Sequence, residues 1–267
     1  MKKILLAFMI LFVLTSCNQN KSMNNEKDTF NNKISTYKEI IKDGKVEIDS
    51  ISYDIKSITK ITYTYDDNEN IIEKVITNDD SKMHIEYLYK NNQLIEDRQF
   101  SNDELSFTTY YYYEDNLLLK KRTISKGNLE IISEYSYGNK IKTQTHYRSD
   151  GSISFISTAY LDDHDKILKV INTKGDGKVM TSSTFHYDND FLIKVIRERE
   201  GVCITTSNYA YNNVGDKIMD YIIFHDKVNT LIAMFYDYEY DENLLPKTVT
   251  IYRVQSSIAD KDIRDYP

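Results

Sequence analysis

The chain has 267 residues, a formal net charge of −7, 23 Tyr, 2 Cys, 2 Pro and no Trp. The acid excess excludes the usual nucleic-acid binder, which needs clustered Lys and Arg for phosphate. Two cysteines exclude a disulfide framework.

The first residues read MKKILLAFMILFVLTSCNQN. Lys2 and Lys3 make a short basic start, Ile4 to Leu14 is an apolar run too short for a comfortable span, and small residues lead into Cys17. That order describes an export signal rather than a domain. The ending Leu14-Thr15-Ser16-Cys17 resembles the lipobox of bacterial lipoproteins. The resemblance implies cleavage after residue 16 and a Cys17 diacylated on its thiol and acylated on its amine, and two or three acyl chains hold a membrane stably. The alternative is an ordinary signal peptide, or an uncleaved anchor, with a chance cysteine. Asn18, where an Asp would signal retention, implies an outer-membrane destination if the organism is Gram-negative. Removing residues 1–16, which hold Lys2 and Lys3, leaves 251 of 267 residues and moves the charge from −7 to −9. Cys203 is then without a partner. In Val202-Cys203-Ile204 it reads as a small apolar strand residue rather than a catalytic thiol.

Residues 17–32 are polar, lack a period and read as a flexible tether. Residues 33–57 read as a capping segment, with good alternation from Lys45 to Tyr53. From 58 to 255 the chain repeats. Tyr-x-Tyr, a polar turn and an aliphatic pair recur: Tyr63-Thr-Tyr65 with Ile71-Ile72, Tyr87-Leu-Tyr89 with Leu94-Ile95, Tyr111-Tyr-Tyr113 with Leu117-Leu118, and so on to Tyr238-Glu-Tyr240 with Leu244-Leu245. The second aromatic falls at 65, 89, 113, 137, 160, 187, 211 and 240, at steps of 24, 24, 24, 23, 27, 24 and 29. Within a repeat the apolar residues alternate at period two, which means strand, and the connections are rich in Asp, Asn and Gly, as hairpins require. The expected fold is all-β: a long antiparallel meander of about eight tandem β-hairpins. A sheet of roughly sixteen strands curls or twists, here with its Tyr and aliphatic face inside. Outward positions are largely charged, which weighs against a membrane barrel. Pro246 suits an edge strand, and residues 256–267 form a charged tail.

Tyr-Asp at 65–66, 187–188 and 240–241, with a turn Gly about ten residues before the next aromatic, resembles the YD repeats of Rhs-type bacterial proteins. The repeats also look somewhat like the MORN-like repeats of the YwqK family. Neither resemblance carries over a catalytic or binding residue.

In Tyr110-Tyr-Tyr-Tyr113, Tyr111 and Tyr113 belong to the repeated face, while Tyr110 and Tyr112 point the other way and are candidates for surface or ligand contact. Asp162-Asp163-His164-Asp165 is the densest ligand cluster and a weak metal candidate; as Asp-rich turn chemistry it needs no metal. The five His are scattered, and no nucleophile elbow or phosphate loop occurs. The sequence therefore reads as a lipid-anchored, non-enzymatic envelope protein without cofactor, binding a protein or a glycan. The alternative is a structural surface-coat lipoprotein without a specific ligand.

Overall fold

In the computed structural model, residues 41–42, 45–48, 51–212, 215–225 and 230–257 are described. The tether, the signal segment with Cys17 and residues 258–267 lie outside them. A short hairpin, β1 (Ile41–Lys42) and β2 (Lys45–Ile48), precedes the long β3 (Ile51–Tyr65). Then follow β4 (Ile71–Thr77), β5 (Lys82–Lys90), β6 (Gln93–Ser101), β7 (Glu104–Glu114), β8 (Leu117–Ser125), β9 (Glu130–Gly138) and β10 (Ile141–Tyr147). The second half comprises β11 (Ile153–Leu161), β12 (Ile167–Lys174), β13 (Val179–Asp188), β14 (Phe191–Arg199), β15 (Val202–Tyr211), β16 (Lys217–Phe224), β17 (Thr230–Tyr240) and β18 (Pro246–Ser257). The expected boundary at 57 thus falls inside β3, and Ser256 and Ser257 belong to β18 rather than to a tail.

From β3 to β18 each strand pairs antiparallel with its chain neighbours, and β18 then pairs with β3, from Thr248↔Thr62 to Val254↔Ile55. The sheet is a closed 16-strand barrel, not the open curled meander that the repeats suggest. An open sheet would leave two rows of unpaired N–H and C=O groups. Twist accumulated over sixteen strands brings those rows together, and pairing them removes both edges. Pro246 is accordingly not on an edge: β18 lies between β17 and β3. It is tolerated as the first residue of its strand, where a missing N–H breaks no ladder bond.

The repeat has a mechanical meaning. In seven hairpins the register slips by one residue beside the second aromatic position: at Tyr65, Tyr89, Tyr113, Leu161, Tyr187, Tyr211 and Tyr240. Such a bulge leaves a residue unpaired. The carbonyl beside it accepts a hydrogen bond from a tyrosine of the next hairpin. Tyr137 Oη donates to Leu118 O at 2.9 Å, Tyr187 to Ile167 O at 3.0 Å, Tyr211 to Leu192 O at 3.0 Å and Tyr238 to Lys217 O at 2.9 Å. Across the seam, Tyr65 donates to Pro246 O at 2.8 Å. Aromatic and post-turn residue recur together because one satisfies the other.

This geometry corrects the sequence alignment twice. In the fifth hairpin the shift puts Ala159 and Leu161 in the places of Tyr111 and Tyr113, and Tyr160 faces outward. In β17, Met234 opposes Asp220 as Thr109 opposes Asp97, so Tyr236 and Tyr238 are the counterparts of Tyr111 and Tyr113. Tyr240 is an extra rung.

The tyrosine face turns inward. Its neighbours Asp97, Thr109, Ser133, Ser157 and Ser183 are buried, while Leu88 and Tyr112 on the other face are 52% and 46% exposed. The densest apolar cluster lies on the outer face near the seam: Met219, Leu231, Ala233, Phe235 and Val254, with Ile55, Ala210, Tyr221, Ile223 and Tyr252 against it. At the rims, adjacent turns are joined by ion pairs, among them Lys82–Asp103 at 2.9 Å and Lys166–Asp190 at 2.8 Å. Asn and Asp take left-handed turn positions, as the Asp- and Asn-rich connections suggest: Asn91 and Asn92 have φ of 52° and 59°, a left-handed pair that these side chains tolerate.

Candidate functional site: the tyrosine-lined inner wall

Two rings of aromatic residues line the inner wall towards one mouth. One contains Tyr63, Tyr87, Tyr111, Tyr135, Phe185, Tyr209 and Tyr236. The other contains Tyr65, Tyr89, Tyr113, Tyr137, Tyr187, Tyr211 and Tyr238. In five of its hairpins the second ring sits at the bulge, at Tyr65, Tyr89, Tyr113, Tyr187 and Tyr211, and tyrosines of this ring supply the hydroxyl bonds described above. A tyrosine whose hydroxyl reaches a neighbouring strand must lean along the wall, since strands are only about 4.8 Å apart and the side chain is longer than that. Its ring face then points into the barrel. Sixteen strands of ordinary tilt, closed on themselves, correspond to a circle roughly 30 Å across.

Burial holds these phenols protonated. It raises Tyr65 and Tyr211 to about 12 and puts Tyr87, Tyr135 and Tyr238 higher still. Lysines lie over several rings: Lys121 Nζ is 4.9 Å from the Tyr111 centroid and Lys217 Nζ 4.3 Å from that of Tyr236. Contacts of this kind favour a desolvated cation.

Two carboxylates are buried in this wall, Asp97 at 3% and Asp220 at 4% exposure. Each occupies the same place in the repeat. Asp97 opposes Tyr87 and accepts from Tyr111 Oη at 2.6 Å. Asp220 opposes Tyr209 and accepts from Tyr236 Oη at 2.7 Å. Burial, then the nearby carboxylate, pushes the hydroxyls of Tyr111 and Tyr236 far above the ordinary phenol range. Farther along the wall, Ser133 Oγ and His146 Nδ1 are 3.0 Å apart, and His146 stacks on Phe155 with centroids at 3.9 Å. Burial, and then the Lys121 charge, lowers His146 to about 4, so its ring is neutral at pH 7.

The residues singled out from sequence fall elsewhere. Tyr110 and Tyr112 lie on the outer face, where their direct cross-strand partners are Glu96 and Arg122 for Tyr110 and Lys120 for Tyr112. Asp162 uses Oδ1 to accept from the backbone N–H groups of His164 and Lys166, at 2.8 and 2.9 Å, which lowers its pKa. Asp66 and Asp241 form their turns in the same way. Asp163 pairs with Lys140, and Asp165 holds a φ of 61°. This cluster is therefore built as one of three similar turns. Cys203 faces outward, half-buried, with Sγ 3.7 Å from Thr205 O. Sequence reasoning missed Asp97, Asp220, Lys121 and Lys217. Their signal, a lone charge at an inward position, depends on bulge positions that only the register shows.

Residues 1–18 match the family model described as the prokaryotic membrane lipoprotein lipid attachment site. The chain thus carries the signal of an exported bacterial lipoprotein, anchored to a membrane by lipid. No curated protein matches it. Among solved structures it is similar to a porin-like protein from Bacteroides uniformis ATCC 8492, at 13% identity and a TM-score of 0.45, over 76% of this chain and 96% of that one.

Proposed function

We propose that the protein is a lipid-tethered barrel of the cell envelope that does not span the membrane and that binds carbohydrate through its inner wall, without catalysis. The observation that carries this reading is the set of anchored tyrosines. Their hydroxyls are fixed to backbone carbonyls, so ring faces are presented at little further entropic cost, and flat faces with polar tips suit the stacking of sugar rings. The outer wall supports tethering rather than spanning. Glu86 faces Arg98, and Lys120 faces Glu134, near the middles of their strands. At a bilayer midplane each Lys or Arg would cost about 2–4 kcal/mol. In a Gram-negative cell the outer membrane is the proposed site, following Asn18.

The test uses the detergent-extracted lipidated protein. With 23 Tyr and no Trp, its emission reports the wall directly. Titration with cellohexaose, chitohexaose and maltohexaose is expected to change tyrosine emission saturably for at least one of them. No response to any of the three would overturn the reading. Conductance steps in planar bilayers would overturn the non-spanning part and favour a pore. Protease shaving of intact cells then tells which side of the envelope the barrel faces.

A further inference from the structure

The two buried carboxylates differ in one respect. At Asp97, Oδ2 accepts from Tyr111 and Oδ1 from Gln99 Nε2 at 3.1 Å, so both oxygens are occupied. At Asp220, Tyr236 Oη and Lys217 Nζ, at 2.7 and 2.6 Å, both bond Oδ2. Oδ1 is buried and has no hydrogen-bond partner. The counterpart of Gln99, two residues beyond the carboxylate and facing inward, is Ile222, which cannot donate. A buried acceptor without a donor is costly, and such exceptions in a native structure call for an explanation.

We propose that Asp220 Oδ1 is a ligand-selecting acceptor, and that a hydroxyl of a neutral sugar held by the surrounding tyrosines completes its shell. This rests on the carbohydrate reading above. A neutral donor is indicated because Lys217 already balances the carboxylate charge. The flanking rings, Tyr209 and Tyr236, would carry the sugar face, and both are stationed around the same carboxylate. Oδ1 is out of contact with solvent, so the donor must enter with a small movement of the wall. Lys217, a long chain 30% exposed, is the neighbour able to give way.

Ile222→Gln copies the Asp97 arrangement into the Asp220 cluster and is the decisive variant. With whichever of cellohexaose, chitohexaose and maltohexaose the wild type binds, it is expected to weaken binding at least tenfold by calorimetry. It should also raise the melting temperature, because the orphan oxygen gains a donor. Asp220→Asn is expected to weaken binding similarly. If the wild type binds and Ile222→Gln binds equally well, Oδ1 is not a ligand contact and the inference is wrong while the carbohydrate reading stands. If the wild type binds none of the three, both fall.

Discussion

Replacing Tyr111 by Phe should cost far more than the same change at Tyr112, its neighbour in a run of four identical residues. Tyr111 Oη donates to Asp97 Oδ2 at 2.6 Å, and Asp97 is only 3% exposed. Without the hydroxyl, the carboxylate keeps only the Gln99 amide, at 3.1 Å, and so buried a group gains no ready water in exchange. Hydrogen bonds to charged groups contribute about 1.5–3 kcal/mol. The ring and its Lys121 contact survive in phenylalanine, so a loss of about 2 kcal/mol is expected. For a barrel of this size that lowers the melting temperature by about 4–8 °C. Tyr112 faces outward, 46% exposed, opposite Lys120, so Tyr112→Phe should stay within about 0.5 kcal/mol. Urea unfolding followed by far-UV circular dichroism at pH 7 measures both. A loss below 0.5 kcal/mol for Tyr111→Phe, or equal losses for the two variants, would refute the inward placement of this face. In a double-mutant cycle, Tyr111→Phe and Asp97→Asn should be strongly non-additive.

Acid should destabilise the barrel through His146. Its folded pKa, about 4, lies below the unfolded value near 6.5, so the unfolded chain takes up the proton first and stability falls as pH drops from about 6.5 to 4. Discounted for its partial exposure the loss is about 1–2 kcal/mol, and a flat melting temperature over that range, or an unchanged slope in His146→Gln, would contradict it. Alkali should act through the wall tyrosines. Their folded pKa values are raised, to about 12 for Tyr65 and Tyr211, so stability is full below pH 10 and declines as pH rises above it. Absorbance at 295 nm should show a fraction of the phenols ionising well above pH 10, and a single step at pH 10 for all of them would refute the burial. Val249→Pro removes a ladder donor where β18 runs between Tyr238 of β17 and Ile61 of β3, and is expected to open the seam, with loss of cooperative melting and a larger radius in size exclusion. A native radius and melting temperature would refute closure there. Mass spectrometry of the N-terminal peptide should find lipid on Cys17, and Cys17→Ser should retain residues 1–16; an intact Met1 with a free Cys17 in the wild type would overturn the anchor.

Period-two alternation between Asp- and Asn-rich turns fixed the strand class, the hairpin order and the inward tyrosine face, because each depends on residues close in sequence. The lipid-attachment signal of residues 1–18 was equally local. Closure was not legible. Nothing in β3 or β18 marks them as partners, since the Thr248↔Thr62 to Val254↔Ile55 ladder joins segments at opposite ends of the repeat array. Whether such ends meet depends on strand number, twist and stagger summed round the whole sheet. The bulges were hidden for a similar reason. A one-residue slip reverses which side chains face inward, so Tyr160 read as a wall residue when Leu161 holds that place. The same slips decide that Asp97 and Asp220 face the lumen and that one meets Gln99 where the other meets Ile222. Composition and spacing determined what this protein is made of, and the register of a closed sheet decided which of those groups face one another.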